Sequence, residues 1–209
     1  MLVSEIQTRV KNIFGDTAQA QINDTMILDW INDGQMDICR KSECLEAPYT
    51  ANIVAGTDQY AYPADFIKEQ RLMVNGIKMV RLTLQSIDML FPDRLSSPMQ
   101  SSTLYYFHWQ RKFNLYPIPP ANITNGLTVW YIRYATSLTT SGQTPEIPTM
   151  FHEDLVRFCL WHAWEQDQEW AAAQQAKQDY DMRLLKTIYD SQIEQSDSYP
   201  SVQLCAGDG

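Results

Sequence analysis

Catalysis needs side chains that move protons, hold metals or attack electrophiles at workable spacings, and this chain offers few of them. It carries three histidines, His108, His152 and His162, and four cysteines, Cys39, Cys44, Cys159 and Cys205. A nucleophile-base-acid site needs a histidine with both partners beside it, and no Gly-x-Ser-x-Gly elbow accompanies these three. Cys159 and His162 have the spacing of two zinc ligands, but no second pair matches them. His162 and Glu165 reverse the Glu-x-x-His order of di-iron bundles and occur once. Residues 94–145 contain no Asp or Glu, which weakens a glycosidase carboxylate pair, although earlier carboxylates leave that option open. A phosphate-cradling glycine loop is absent. The expectation is no catalytic residue, no metal and no cofactor. None of the cysteines forms a Cys-x-x-Cys pair or sits in a basic cluster, so they read as small buried hydrophobes without disulfides.

Two non-catalytic patterns stand out. Asp29, Asp33 and Asp37 fall at i, i+4 and i+8, an acidic stripe down one helix face. Such a stripe is either an ordinary solvated face or a surface that repels a polyanion. Tyr105, Tyr106, Phe107 and Trp109 crowd one strand, as a stacking platform or as a sheet with aromatics on both faces. Few cations accompany them, which favours the sheet.

Composition frames both patterns. The chain has 209 residues, 44% apolar and 11% aromatic, enough for a real core. A net charge of -9 argues against a nucleic-acid reader, which needs a basic footprint. The charge is uneven. Residues 48–146 hold eight Lys/Arg and six Asp/Glu and net +2, so the two ends together net -11. No apolar run reaches the roughly 18 residues that span a bilayer, and no cationic region opens the chain, so neither membrane span nor signal peptide is expected.

The elements follow from periodicity. Residues 2–14 read as a helix that Gly15 ends, and a second helix follows an N-cap region at Asn23-Asp24-Thr25 and runs to about Glu43. Ile27, Trp30, Ile31, Gly34 and Ile38 share a face of the second helix, where Gly34 suggests close packing on a neighbouring helix. Short strands are expected at 49–54, 60–62, 67–74, 77–82, 105–110, 113–116 and 127–135, with Asn75-Gly76 and Arg111-Lys112 as hairpin turns. A short helix is expected at 84–90. After Pro148, residues 155–164 are apolar nearly all round. Leu155, Val156, Phe158, Leu160, Trp161 and Trp164 must therefore line either a core or a subunit interface. Residues 170–195 form a wetter helix packed through Ala173, Ala176, Tyr180, Leu184 and Ile188. The expected fold class is α+β: a discontinuous four-helix bundle (1–47 plus 147–195) with an inserted antiparallel β-sandwich or barrel-like module (48–146). A tail at 196–209 carries Tyr199, Val202 and Leu204 without helical period.

The order of several degenerate motifs is familiar. They are Asp24-Thr25-Met26-Ile27-Leu28-Asp29-Trp30-Ile31-Asn32-Asp33-Gly34-Gln35, then Ala55-Gly56-Thr57-Asp58-Gln59-Tyr60, Tyr62-Pro63-Ala64-Asp65-Phe66, Val74-Asn75-Gly76, Leu115-Tyr116-Pro117-Ile118-Pro119, Pro145-Glu146-Ile147-Pro148, and the Ala171-Ala172-Ala173 helix with Tyr180. In this order, over residues 2–190, the chain resembles phage head-to-tail adaptor (connector) proteins. The resemblance implies a structural virion protein of the neck, assembled in the host cytoplasm, that forms a ring, typically of twelve copies. It implies as partners the portal protein, a tail nozzle or tube protein and copies of itself. Genomic DNA would pass through without sequence-specific binding, and Asp29, Asp33 and Asp37 would line the lumen. Tyr199, Val202 and Leu204 would dock on the portal. The family brings no catalytic residue. Two other readings stay open, a tail-completion or stopper protein and a carbohydrate-binding β-module on a helical stalk.

Overall fold

A computed structural model describes residues 1–93 and 104–195. The tail residues Tyr199, Val202 and Leu204 lie outside them. The described elements are α1 (Val3–Phe14), α2 (Asp24–Ser42), β1 (Glu46–Ile53), β2 (Gln59–Ala61), β3 (Phe66–Val74), β4 (Ile77–Lys78), β5 (Val80–Arg81), α3 (Leu84–Leu90), β6 (Tyr105–Trp109), β7 (Lys112–Tyr116), β8 (Ile123–Arg133), α4 (His152–Gln166) and α5 (Trp170–Gln195). The class is α+β, as expected. The chain forms two compact units, Met1–Gly34 with Leu138–Gly209, and Gln35–Ser137. The division falls inside α2.

In the terminal unit, α4 packs on α1 and α5. Its Leu155, Val156 and Cys159 are fully buried, and Phe158 and Leu160 nearly so, whereas Trp161 and Trp164 are half-buried. Burying one such aliphatic or aromatic side chain contributes about 1.5–3 kcal/mol. The helix therefore buries most of its apolar surface within its own chain. The α5 face turned toward it carries Ala173, Tyr180 and Leu184, all buried, with Ala176 and Ile188 partly so. Gly34 explains the close approach of α2: a Cβ built there would lie 2.9 Å from Leu155 Cδ2 and 3.0 Å from Phe158 Cδ1. Asn32 secures the same region, donating through Nδ2 to the Leu138 carbonyl (3.0 Å) and accepting from the Leu138 N–H (2.7 Å).

Short-range chemistry sets the ends of α1. The Glu5 carboxylate accepts the Leu2 N–H at 2.8 Å, and Gly15 closes the helix in the left-handed region. The turn that follows is built on Asp16, whose carboxylate accepts the N–H groups of Ala20, Gln21 and Ile22. Those three bonds hold its carboxyl below the ordinary value.

The central unit contains two four-stranded sheets, ordered β1-β8-β3-β4 and β2-β7-β6-β5. Both contribute to one buried cluster, with Ile53, Leu72 and Val129 from the first and Tyr60, Tyr106 and Phe113 from the second. The Asn75-Gly76 turn has positive φ at both residues, 47° and 77°, as a type I′ hairpin requires.

Three expectations change here. Residues 77–82 are not one strand. Met79 is buried, and the chain crosses there from β4 in the first sheet to β5 in the second. Second, β5 pairs with β6 in parallel, so the module is not purely antiparallel. Third, the described strands close no barrel, because each sheet keeps two edges. β8 also begins earlier than its apolar run, at Ile123, because β1 pairs with it that far.

The Gly34 contact yields a graded test. Gly34→Ala should change stability little, because a better helix former (about 1 kcal/mol) opposes a crowded Cβ. Gly34→Leu should destabilise by about 2–3 kcal/mol in urea unfolding. Equal stability of the two variants would show that Phe158 does not confine this position.

Candidate functional site

The densest polar arrangement lies in the central unit, around a histidine that sequence reasoning placed only as a strand residue. β6 alternates, so Tyr106 and His108 share one face and Phe107 takes the other. His108 Nε2 donates to Glu69 Oε1 at 2.9 Å, and Arg81 NH1 lies 2.7 Å from the same oxygen. The Tyr62 hydroxyl hydrogen-bonds His108 Nδ1. These partners set the tautomer: Nε2 carries the proton and Nδ1 accepts from the phenol. Glu69 is buried on β3, and its side chain is 6% exposed.

The electrostatics follow from this geometry. Burial pushes the Glu69 carboxyl up, but the His108 hydrogen bond, its own backbone N–H and the Arg81 charge outweigh it, leaving the group below its ordinary value. Burial and the Glu69 charge push the Tyr62 hydroxyl up and Tyr106 up to about 12. A tyrosine-histidine-glutamate relay resembles a nucleophile triad in connectivity. Its chemistry runs the other way, because a nucleophilic phenol needs a lowered pKa. The Tyr62 ring is packed among Phe66 (4.3 Å), Phe113 (4.6 Å) and His108. The arrangement holds a buried carboxylate ionised and ties β3, β5, β6 and the residue that follows β2 together. A groove of about 380 Å³ beside it is rimmed by Arg71, Lys78 and Arg81. Arg81 is engaged by Glu69, and Arg71 lies 5.4 Å over the Trp130 ring.

The proposed aromatic platform does not form one surface. Tyr106 and Phe107 are buried in different clusters, Tyr105 packs on Phe91 at 5.6 Å, and only Trp109 is exposed. His162 is half-buried, donates from Nδ1 to Glu165 Oε2 (3.0 Å) and stacks on Trp161. Cys159 beside it is fully buried, and burial raises its thiol. Among the described residues no cluster of three His, Cys, Asp or Glu side chains could hold a metal ion. His152 bonds the Ile147 carbonyl at 3.1 Å, and burial lowers its pKa.

On α2, Asp29 and Asp33 are exposed, while Asp37 is half-buried and bridges Lys41 at 2.8 Å. The acidic stripe is thus two free-facing carboxylates and one neutralised pair. The feature that sequence reasoning missed on the helices is apolar and exposed. Met182, Leu185 and Tyr189, at i, i+3 and i+7 on α5, are 63%, 69% and 65% exposed. Their spacing was readable, but the face opposite Tyr180 and Leu184 passed as solvated. No described helix is long and apolar enough to cross a membrane.

The family model described as SU10 adaptor protein matches residues 1–203. No curated protein matches the chain.

The Glu69 site predicts a pH signature. A carboxyl held low contributes stability that is present above its unfolded value, near 4.5, and lost as pH falls through its lower folded value. Glu69→Gln should therefore cost about 1–3 kcal/mol at pH 7, with the deficit shrinking below pH 4.5. A deficit unchanged at acid pH, measured by urea unfolding, would show that the charge is not the cause.

Proposed function

The chain belongs to the SU10 adaptor protein family of phage head-to-tail adaptors, and from that premise we propose that it forms a ring between the portal and the tail of a virion, through which DNA passes. The carrying observation is the family match over nearly the whole chain. An adaptor of this kind is a structural protein that binds portal and tail components. The expected copy number is twelve, the expected tail partner a nozzle or tube protein, and the expected place the virion neck.

Two surfaces support the reading. A protein whose business is docking must leave apolar surface for its neighbours, and the Met182, Leu185 and Tyr189 stripe does so on a helix otherwise well packed. We assign it to a neighbouring copy. The long apolar α4 does not need that role, since its own unit buries it. Asp29 and Asp33 are exposed and acidic, as a lumen that DNA slides along without sticking would require. Tyr199, Val202 and Leu204 remain the proposed portal-docking segment.

Assembly, DNA release and the position in the neck each test this. Mixed with its portal, the chain should form a ring visible by electron microscopy. Leu185→Asp with Tyr189→Asp should leave folding intact and weaken ring formation at least roughly 30-fold, about 2 kcal/mol. A chain that stays monomeric with portal present, or a double variant that assembles normally, counts against the ring or the assigned surface respectively. Separately, Asp29→Lys with Asp33→Lys should leave assembly unchanged but slow DNA release from particles, more so at low salt. Release at the wild-type rate in low salt would remove these residues from the channel. A density map of the neck distinguishes an adaptor from a stopper by its level along the tail axis.

A further inference from the structure

Cys39 and Cys44 are five residues apart, a spacing that neither a straight helix nor a strand brings together. The end of α2 does. The Glu43 N–H closes on the Cys39 carbonyl at 3.0 Å, and Glu43 then takes a left-handed conformation, φ 54°. That reversal swings residue 44 back over the last helical turn, the position where a helix cap usually places an apolar contact. Here the two residues that the cap brings together are both cysteines, and each thiol shifts the ionisation of the other. Cys39 is fully buried and Cys44 half-buried, so Cys44 is the more accessible residue of the two.

We propose that Cys39 and Cys44 form a dithiol modification site that takes small disulfides and closes an intramolecular disulfide across the C-terminal cap of α2. The two thiols divide the work. The neighbouring Cys39 thiol lowers Cys44 to about 7, helped by Ser42 beside it, while the Cys44 thiol and burial raise Cys39. Cys44 is thus the thiolate that attacks. Glu43, which would repel an anionic reagent, is paired with Lys68 at 2.8 Å. Arg133 adds positive potential at Cys39.

The chemistry balances in two exchanges. The Cys44 thiolate attacks one sulfur of a small disulfide, forming a mixed disulfide and expelling one thiolate. Cys39 then gives up its proton to solvent or to the departing thiolate, and its sulfur attacks Cys44 Sγ and expels the second. Two protein thiols are oxidised, and one disulfide is reduced to two thiols. Because the first step removes the neighbouring negative charge, Cys39 becomes easier to deprotonate when its turn comes. Cys159 is excluded, being fully buried and on another helix. Closing the bridge requires the sulfurs to come to about 2.05 Å across the cap. The site is a property of this chain alone, so its failure would leave the proposed function untouched.

The probe is oxidised glutathione, applied to the full native chain at pH 7.5, with free thiols then blocked by N-ethylmaleimide and mapped by mass spectrometry. Before oxidation, Cys44 should alkylate at least about tenfold faster than Cys159. After oxidation, the chain should lose two hydrogens, retain no glutathione and yield a peptide linking Cys39 to Cys44. Cys205→Ser should change none of this. Cys39→Ser should instead trap one glutathione on Cys44. A wild-type chain that keeps glutathione on Cys44, bridges Cys44 to Cys205, or leaves Cys44 no more reactive than Cys159 overturns the proposal. The wild-type map decides the matter even where a variant misfolds.

Discussion

Water has to be kept from nearly every side of α4. The helix carries Leu155, Val156, Phe158, Cys159 and Leu160 in six consecutive positions, interrupted only by Arg157. Helical geometry spreads such a run around the whole circumference, so one neighbour cannot cover it. α1 from the start of the chain and α5 from its end both pack against it, and Gly34 of α2 comes close enough that a methyl group would collide. The two ends of the chain therefore belong to one unit, and everything between Gln35 and Ser137 is an excursion from it. The discontinuous organisation follows from the burial of that helix.

The central unit answers a different constraint. Its short strands give small hydrophobic faces; the two sheets share one cluster, and Phe107 and Tyr116 of the second sheet pack separately with Ile87 of α3. The chain crosses between sheets at Met79, which is buried for that reason. A crossing inside the shared core brings β5 beside β3, and with it Arg81 beside Glu69. A carboxylate in such a place is tolerable only when paired and hydrogen-bonded. His108 and Arg81 supply that pairing, and Tyr62, just after β2, completes it. The site that most resembles catalytic machinery is thus the means by which a β-unit of modest core keeps its sheets in register. That is consistent with a family whose members are structural parts.

For an assembly protein the informative surfaces are those left uncovered. α5 is covered on the side of Ala173, Tyr180 and Leu184 and bare on the side of Met182, Leu185 and Tyr189. Sequence reading located the first face by its period and overlooked the second, because one apolar stripe satisfied the expectation for an amphipathic helix. For α4 it left a core and a subunit interface both open, and the chain's own fold buries most of that helix. The acidic stripe survives at Asp29 and Asp33 and is neutralised at Asp37, where Lys41 stands one turn on.

Periodicity, caps and turn residues act within a few residues of themselves, and for that reason the sequence alone determined the helices, the Asn75-Gly76 hairpin, the role of Gly34 and the α+β class. The order of its motifs also pointed to the family. Only the tertiary structure decided what depends on residues far apart in the chain. It decided that residues 77–82 divide between two sheets, that Glu69, Arg81 and His108 meet, and that one face of α5 stays open. Strand pairing and burial are settled by the total fit of distant side chains, and no local pattern carries that information. The cysteine pair lies between these cases. Its spacing was visible, but two thiols at i and i+5 meet only because Glu43 turns left-handed, and that turn is a matter of backbone conformation.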